Sequence, residues 1–410
     1  AVLFPQSLCY TGYMKEYTCI NSILMGLLAV MVLLSCASSE TLPAAALAPT
    51  PPPTQALPPP PTPPPTPPPQ ASQDPTGPSI LPLPAPPQEA LQTAQAEPVP
   101  VKLIREEPPI SGKPEPVTFR EIWGYVQAGE ESALDPAWPV SDVALFSASI
   151  NSTGNLRGIP KRNKLSGYTG KVHLVIAELG NYALTHFCLN PAYPVRSSLI
   201  TQIAEAAQNF DGIQIDFEAI LSDDTEHFIS FLRAIKSRIG KKTLSVALPA
   251  RTKKVSEAYD YQRIAQVADR IIIMAYDEHW SGSTPGSVAS LTWCEKVADY
   301  ALKTIGNKKL VMGIPFYGRA WGEINPSRAY RFSSLSKLMN EKGIQDTSRV
   351  DGSVYFEYNE LIKVKVFYED YRSVHQRAEL YYTQGINYIA FWRIGQEDTA
   401  IWNFLHLQSK

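Results

Sequence analysis

The segment Asp211-Gly-Ile-Gln-Ile-Asp-Phe-Glu218 concentrates the groups best suited to chemistry in this 410-residue chain. In an extended strand, side chains two apart share a face. Gln214, Asp216 and Glu218 therefore line up, while Ile213, Ile215 and Phe217 face the other way. Two acids at i and i+2 in an otherwise apolar strand are costly to bury, and a purely structural strand has little reason to hold them. Repulsion from Asp216 together with partial burial is expected to raise the Glu218 pKa and keep it protonated. A carboxyl held in that state is a general acid. No second carboxylate stands in an obvious position to act as a nucleophile opposite it.

The elements that must position this strand are legible from Val117 onward. Short β-rich runs occur at Ile122–Val126, Val143–Ser149, Val172–Ala177, Gly212–Phe217, Leu244–Leu248, Ile271–Met274, Leu310–Pro315 and Tyr388–Trp392. Most are continuous apolar runs, as strands covered on both faces require. Apolar spacings of three and four mark helices over Ser198–Asn209, Thr225–Ile239, Tyr261–Ala268, Ser290–Ile305 and Ser373–Thr383. Eight strands in this alternation predict an α/β fold, a (β/α)₈ TIM barrel, with chemistry at strand C-termini. The stretch Trp321–Asp370 is too long for a plain loop. With its β-like run Ser353–Lys365, it is expected to form a small insertion (about 321–371) between strands seven and eight.

Upstream the composition changes. Of the 37 prolines, 27 fall between Thr41 and Pro116, leaving too little bulky apolar surface there to offset the entropy of ordering the chain. Residues 37–116 are expected to be a disordered linker with stretches of polyproline II. Residues 117–410 are then expected to form one domain, the barrel that carries the Asp211–Glu218 strand. Before the linker, Ile23–Leu34 is an apolar run of twelve residues, about 18 Å as a helix and too short to cross a bilayer. It fits the h-region of a signal peptide that starts at Met14. The run ends Leu33-Leu-Ser-Cys36, which resembles a bacterial lipobox. Cys36 is the expected lipidation site, residues 1–36 are upstream sequence plus signal peptide, and the protein is expected to be exported and lipid-anchored to the cell envelope.

Net charge is −2, and basic runs are no longer than pairs such as Lys241-Lys242 and Lys308-Lys309. Nucleic acid is not an expected partner. The cysteines at 9, 19, 36, 188 and 294 have no zinc-ligand spacing and the six histidines are scattered, so neither metal nor cofactor is expected. Cys188 and Cys294 read as buried thiols, a disulfide being the alternative.

Asp211-x-x-Gln214-x-Asp216-x-Glu218 resembles the DxxDxDxE signature of glycoside hydrolase family 18, the chitinase family. Met274-Ala-Tyr-Asp277, Gly313-Ile-Pro-Phe-Tyr-Gly-Arg-Ala-Trp321 and Ala390-Phe-Trp-Arg-Ile-Gly395 are similar to that family's motifs at strands six, seven and eight. Val366-Phe-Tyr-Glu-Asp-Tyr-Arg-Ser373 resembles the bacterial branch of spore-cortex and cell-wall N-acetylglucosaminidases, without the LysM repeats that branch often carries.

The resemblance implies a retaining, substrate-assisted hydrolase of β-1,4-linked N-acetylglucosamine glycans, from peptidoglycan or chitin, acting as a monomer. Glu218 would protonate the leaving oxygen and later activate water. Asp216 would hold the acetamido N–H, and Tyr276 would donate to its carbonyl. Asp277 would contact the same sugar and Trp392 would form the floor beneath it. Tyr317, Arg319, Tyr125 and Phe146 are further substrate-binding candidates, and Asp211, Gln214 and Met274 join them as members of the motifs. Gln214 departs from the family, where many members have Asp; Gln cannot titrate, though its amide can hydrogen-bond Asp216. The alternative reading is a lectin-like glycan-binding protein, a class that has lost the proton donor this chain retains.

Overall fold

The computed structural model describes residues 112–322, 328–359 and 362–409. The expected signal peptide, Cys36 and almost all of the proline-rich linker lie outside these residues. Eight parallel strands form the core: β1 (Glu121–Gln127), β2 (Asp142–Ile150), β3 (Lys171–Glu178), β4 (Gly212–Phe217), β5 (Thr243–Pro249), β6 (Arg270–Met274), β7 (Leu310–Pro315) and β8 (Tyr388–Trp392). Each pairs with its neighbour, and β8 returns to β1 through Ile389 opposite Ile122. That closure removes every sheet edge and makes the (β/α)₈ barrel the sequence calls for.

Period two divides the apolar side chains between two layers. Inside the barrel, Trp123, Tyr125, Ala144, Phe146, Val175, Ile272, Val311 and Ala390 pack together. Outside, Ile213, Ile215 and Phe217 of β4 join the larger core beneath the helices. The helices are α1 (Tyr182–Leu189), α2 (Pro194–Ala206), α3 (Thr225–Ile239), α4 (Tyr261–Val267), α5 (Leu291–Ile305), α6 (Phe332–Lys342) and α7 (Tyr371–Thr383). The crossovers from β1 to β2 and from β2 to β3 contain only 3₁₀ turns and the short strand Leu156–Arg157, among the described residues. Their sequences, rich in Pro, Gly and Asn, lack the three-and-four spacing a helix needs. Cys188 and Cys294 are buried and free.

The insertion begins earlier than its sequence boundary. Tyr317–Gly322, two residues past β7, is the second strand of a five-stranded antiparallel sheet with Arg328–Arg331, Lys363–Tyr368, Ser353–Asn359 and Ser348–Val350. The β-like run Ser353–Lys365 is two strands of that sheet. The sheet and α6 enclose a small core of Ala320, Leu335, Val354, Phe356, Val366 and Tyr368.

One buried ion pair fastens the insertion to the barrel. Glu369 and Arg377 have fully buried side chains and meet at 2.6 Å. Arg377 also donates through Nε to the Ala289 carbonyl at 2.6 Å, and Nη2 reaches Ser353 Oγ at 3.0 Å. Ala289 ends the loop after β6, so the pair joins that loop, the insertion and α7. Beside it Asp370 caps α7 through Ser373 N and pairs with Arg349.

The chain reaches β1 along the outside of α7. Arg372 Nη1 donates to the Gly112 carbonyl at 2.7 Å, and His375 Nε2 to that of Glu115 at 2.6 Å. Phe119 meets Tyr382 edge-on. Residues Val117–Phe119 then pair in parallel with Leu405–Leu407 near the chain's other end.

Candidate active site

The site lies at the C-terminal ends of β4 to β7. Along β4, Gln214 and Asp216 face the barrel interior at 0% and 4% exposure, and Glu218 stands half-buried just beyond the last strand residue. Its backbone N–H donates to the Glu178 carbonyl at 2.8 Å, which fixes the strand end against β3. Tyr259 Oη, from the β5–α4 loop, donates to the Phe217 carbonyl at 2.9 Å on the other side. Burial raises the Asp216 pKa to about 7. Burial, then the charges of Asp216 and Asp277, raises that of Glu218 to about 8. Both shifts run in the direction that keeps a carboxyl protonated.

Gln214 does not bond Asp216. Its Oε1 accepts from Tyr125 Oη at 2.5 Å, and its Nε2 donates to Ser245 Oγ at 3.2 Å. The register places Ser245 directly opposite Gln214 on β5, so both ends of the amide are occupied inside the barrel. Asp216 Oδ1 is buried without a partner among the described residues. A buried acceptor without a partner is costly to keep.

The β6 motif folds as a tight turn: Ala275 N bonds the Ile273 carbonyl and Tyr276 N that of Met274. Asp277 follows with φ of 58°, a left-handed conformation that Asp tolerates better than most residues. Gly313 on β7 makes room for the Tyr276 ring; a Cβ there would sit 2.7 Å from the Ile273 carbonyl oxygen and 3.1 Å from Tyr276 Cε1. Tyr317 Oη and Arg319 Nη2 both donate to Asp277 Oδ1, at 2.6 and 2.8 Å. Tyr317 thus reaches the site through Asp277, while Arg319 also lines it directly.

Glu218, Met274, Tyr276, Asp277 and Arg319 line one cleft of about 250 Å³. Arg251, Glu278, Trp280 and Trp293 share its walls, and the sequence pattern singles out none of these. They lie on loops or at a helix start, where no periodicity marks them. Trp293 is visible in the sequence only as the third residue of α5, after Ser290, whose Oγ caps the helix through Trp293 N.

Trp392, half-buried at the end of β8, is met edge-on by Tyr125 and Phe146, each with ring centroids 5.2 Å away. Those two rings are 3% and 8% exposed, so they buttress Trp392 and offer no free face for stacking. The peptide between Trp392 and Arg393 is cis.

Asp211 does not join the site. It precedes β4 at the barrel floor, roughly 20 Å along an extended chain from Glu218. Its Oδ2 accepts from Val172 N at 2.8 Å and pairs with Arg162 at 2.7 Å. The motif's first acid ties β4 to β3 and carries no substrate contact. Among the described residues no cluster of His, Cys, Asp and Glu could hold a metal ion, and no helix is long and apolar enough to cross a membrane.

A family model described as glycosyl hydrolases family 18 matches residues 192–397. The cortical fragment-lytic enzyme of Bacillus anthracis is 29% identical over 289 residues, covering 64% of this chain and 66% of that protein. An uncharacterized glycosylase, YvbX of Bacillus subtilis, is 29% identical over 214 residues, covering 49% of this chain and 62% of that protein. The crystal structure of the Bacillus cereus spore cortex-lytic enzyme SleL superposes with a TM-score of 0.65 at 25% identity, covering 72% of this chain and 76% of that one. The chain thus spans a little under two thirds of the length of the curated relatives it matches. It belongs to glycosyl hydrolases family 18.

Proposed function

We propose that this family 18 chain hydrolyses β-1,4-linked N-acetylglucosamine glycans with retention, Glu218 being general acid and then general base. The observation that carries this reading is the Asp216–Glu218 pair: two inward carboxyls at one strand end, both raised toward neutral pH, with Glu218 lining a cleft whose other acids are already engaged, Asp277 by Tyr317 and Arg319 and Glu278 by Ser290 N. Substrate-assisted chemistry needs no second acid to attack the sugar. The sugar's own acetamido oxygen attacks C1 as the glycosidic C1–O bond breaks, and the Glu218 proton passes to the leaving oxygen. Water then attacks C1, returning a proton to the Glu218 carboxylate and reopening the ring. In this scheme the open Oδ1 of Asp216 accepts the acetamido N–H and orients it, Tyr276 donates to the carbonyl, and Asp277 contacts the sugar. Trp392 lies beneath the ring.

Relatives named for lysis of spore-cortex fragments favour peptidoglycan or its fragments over chitin as substrate. Cys36 would anchor the protein at the envelope, the proline-rich segment giving it reach. Glu218→Gln should lower kcat by about 10²–10⁴-fold on β-1,4-linked N-acetylglucosamine oligomers and on peptidoglycan, with binding retained. Wild-type protein that binds both and releases sugar from neither would instead be a glycan-binding member of the fold.

A further inference from the structure

The cleft wall that follows β5 carries a cation that the hydrolytic chemistry does not use. Arg251 follows β5 directly, after Pro249 and Ala250, and lines the same cavity as Glu218 and Tyr276. Glu257 holds its guanidinium side-on: Nε donates to Oε1 at 2.8 Å and Nη2 to Oε2 at 2.7 Å. Nη1 donates back to the Ala250 carbonyl at 2.8 Å.

A guanidinium has five N–H groups in one plane. These three contacts leave one on Nη1 and one on Nη2. With the side-on edge on Glu257, and the Ala250 contact made through the Nη1 hydrogen next to Cδ, the remaining two N–H groups are the parallel pair at the far end. That end-on pair is the geometry with which arginine grips a carboxylate through both oxygens. The ion pair fixes its direction in advance, and the side chain keeps 28% exposure. Lys253 and Lys254, two and three residues on, are exposed and have no carboxylate partner among the described residues. They add positive potential on the same rim.

We propose that Arg251 is a specificity-determining residue that binds a carboxylate on the glycan, so that the preferred substrate is an acidic N-acetylated glycan such as one with muramyl units, and not a neutral chitin chain. The proposal rests on the hydrolase reading of the same cleft. In such glycans the carboxylate comes from the lactyl ether of the muramyl unit or, where that is amide-linked, from a stem peptide.

The test uses glycan strands of alternating N-acetylglucosamine and N-acetylmuramic acid, peptide-free in one arm and peptide-bearing in the other. Each is compared with the same strands after their carboxylates are capped as methylamides. Capping should lower the wild-type kcat/KM by about ten- to hundredfold, the range of a charged hydrogen-bonded pair. The arm that responds identifies the source. In Arg251→Gln the ratio of uncapped to capped rates should approach one. Arg251→Lys, which keeps a cation beside Glu257 but loses the fork, should fall between and serves if the Gln variant does not fold. Equal wild-type rates before and after capping in both arms overturn the proposal. So does a ratio that persists in Arg251→Gln, because the carboxylate is then read elsewhere. Wild-type protein inactive on these strands and on N-acetylglucosamine oligomers alike removes the hydrolase reading itself.

Discussion

At the scale of single residues, Asp216 and Glu218 form one titrating unit whose proton is held by burial and mutual repulsion. If Glu218 is the proposed general acid it works only while protonated, so kcat/KM should fall as pH rises through about 8. The Asp216 charge is one cause of that raised value. In Asp216→Asn the basic limb of the residual activity should therefore move to lower pH, and a pH–rate profile of the two proteins checks the direction. The placement of Asp216 and Glu218 together is legible from spacing alone, because period two puts both acids on one face. Asp211 falls outside the site for a reason the sequence also contains: a full strand separates it from Glu218, and a strand has two ends. The pairing of Gln214 is not legible, because its partners Tyr125 and Ser245 come from other strands and only the closed barrel brings them within reach.

Among the elements, strands are read more accurately from sequence than the segments joining them. Gly212–Phe217, Leu310–Pro315 and Tyr388–Trp392 begin and end where their apolar runs do. Helix α1 escapes the pattern because its eight residues give little room for a repeat. Helix α6 is hidden within an insertion marked only by its β-like part. The segment from Val366 to Ser373, which carries a family resemblance, also holds the structure together, supplying Glu369 for the buried pair and Asp370 for the α7 cap. Removing one partner of a fully buried pair leaves an uncompensated charge. Arg377→Met should cost about 3–5 kcal/mol, read as a lower midpoint in urea unfolding. Because Arg377 also grips the Ala289 carbonyl, the loop bearing Tyr276 and Asp277 should loosen with it, visible as faster amide exchange over residues 275–290.

For the whole molecule, composition separates a proline-rich arm from a foldable part, and eight apolar runs are enough to give the barrel. The anchoring reading belongs at this scale. If Cys36 carries lipid, the full-length protein should enter the detergent phase of a phase-separation experiment and Cys36→Ser should stay in the aqueous phase. Partition that is the same for both would remove the anchor.

The strap beside α7 has a direction of its own. From Gly112 to Phe119 the chain follows the helix the way the helix runs, passing Arg372, then His375, then Tyr382. Helix α7 descends from the catalytic rim to the barrel floor, about 20 Å over its 13 residues. Gly112, the first described residue of this strap, therefore stands level with the cleft and beside the insertion, not at the floor where β1 begins. Cutting the strap's contacts with α7 would free a segment at the rim while leaving the start of β1 in place.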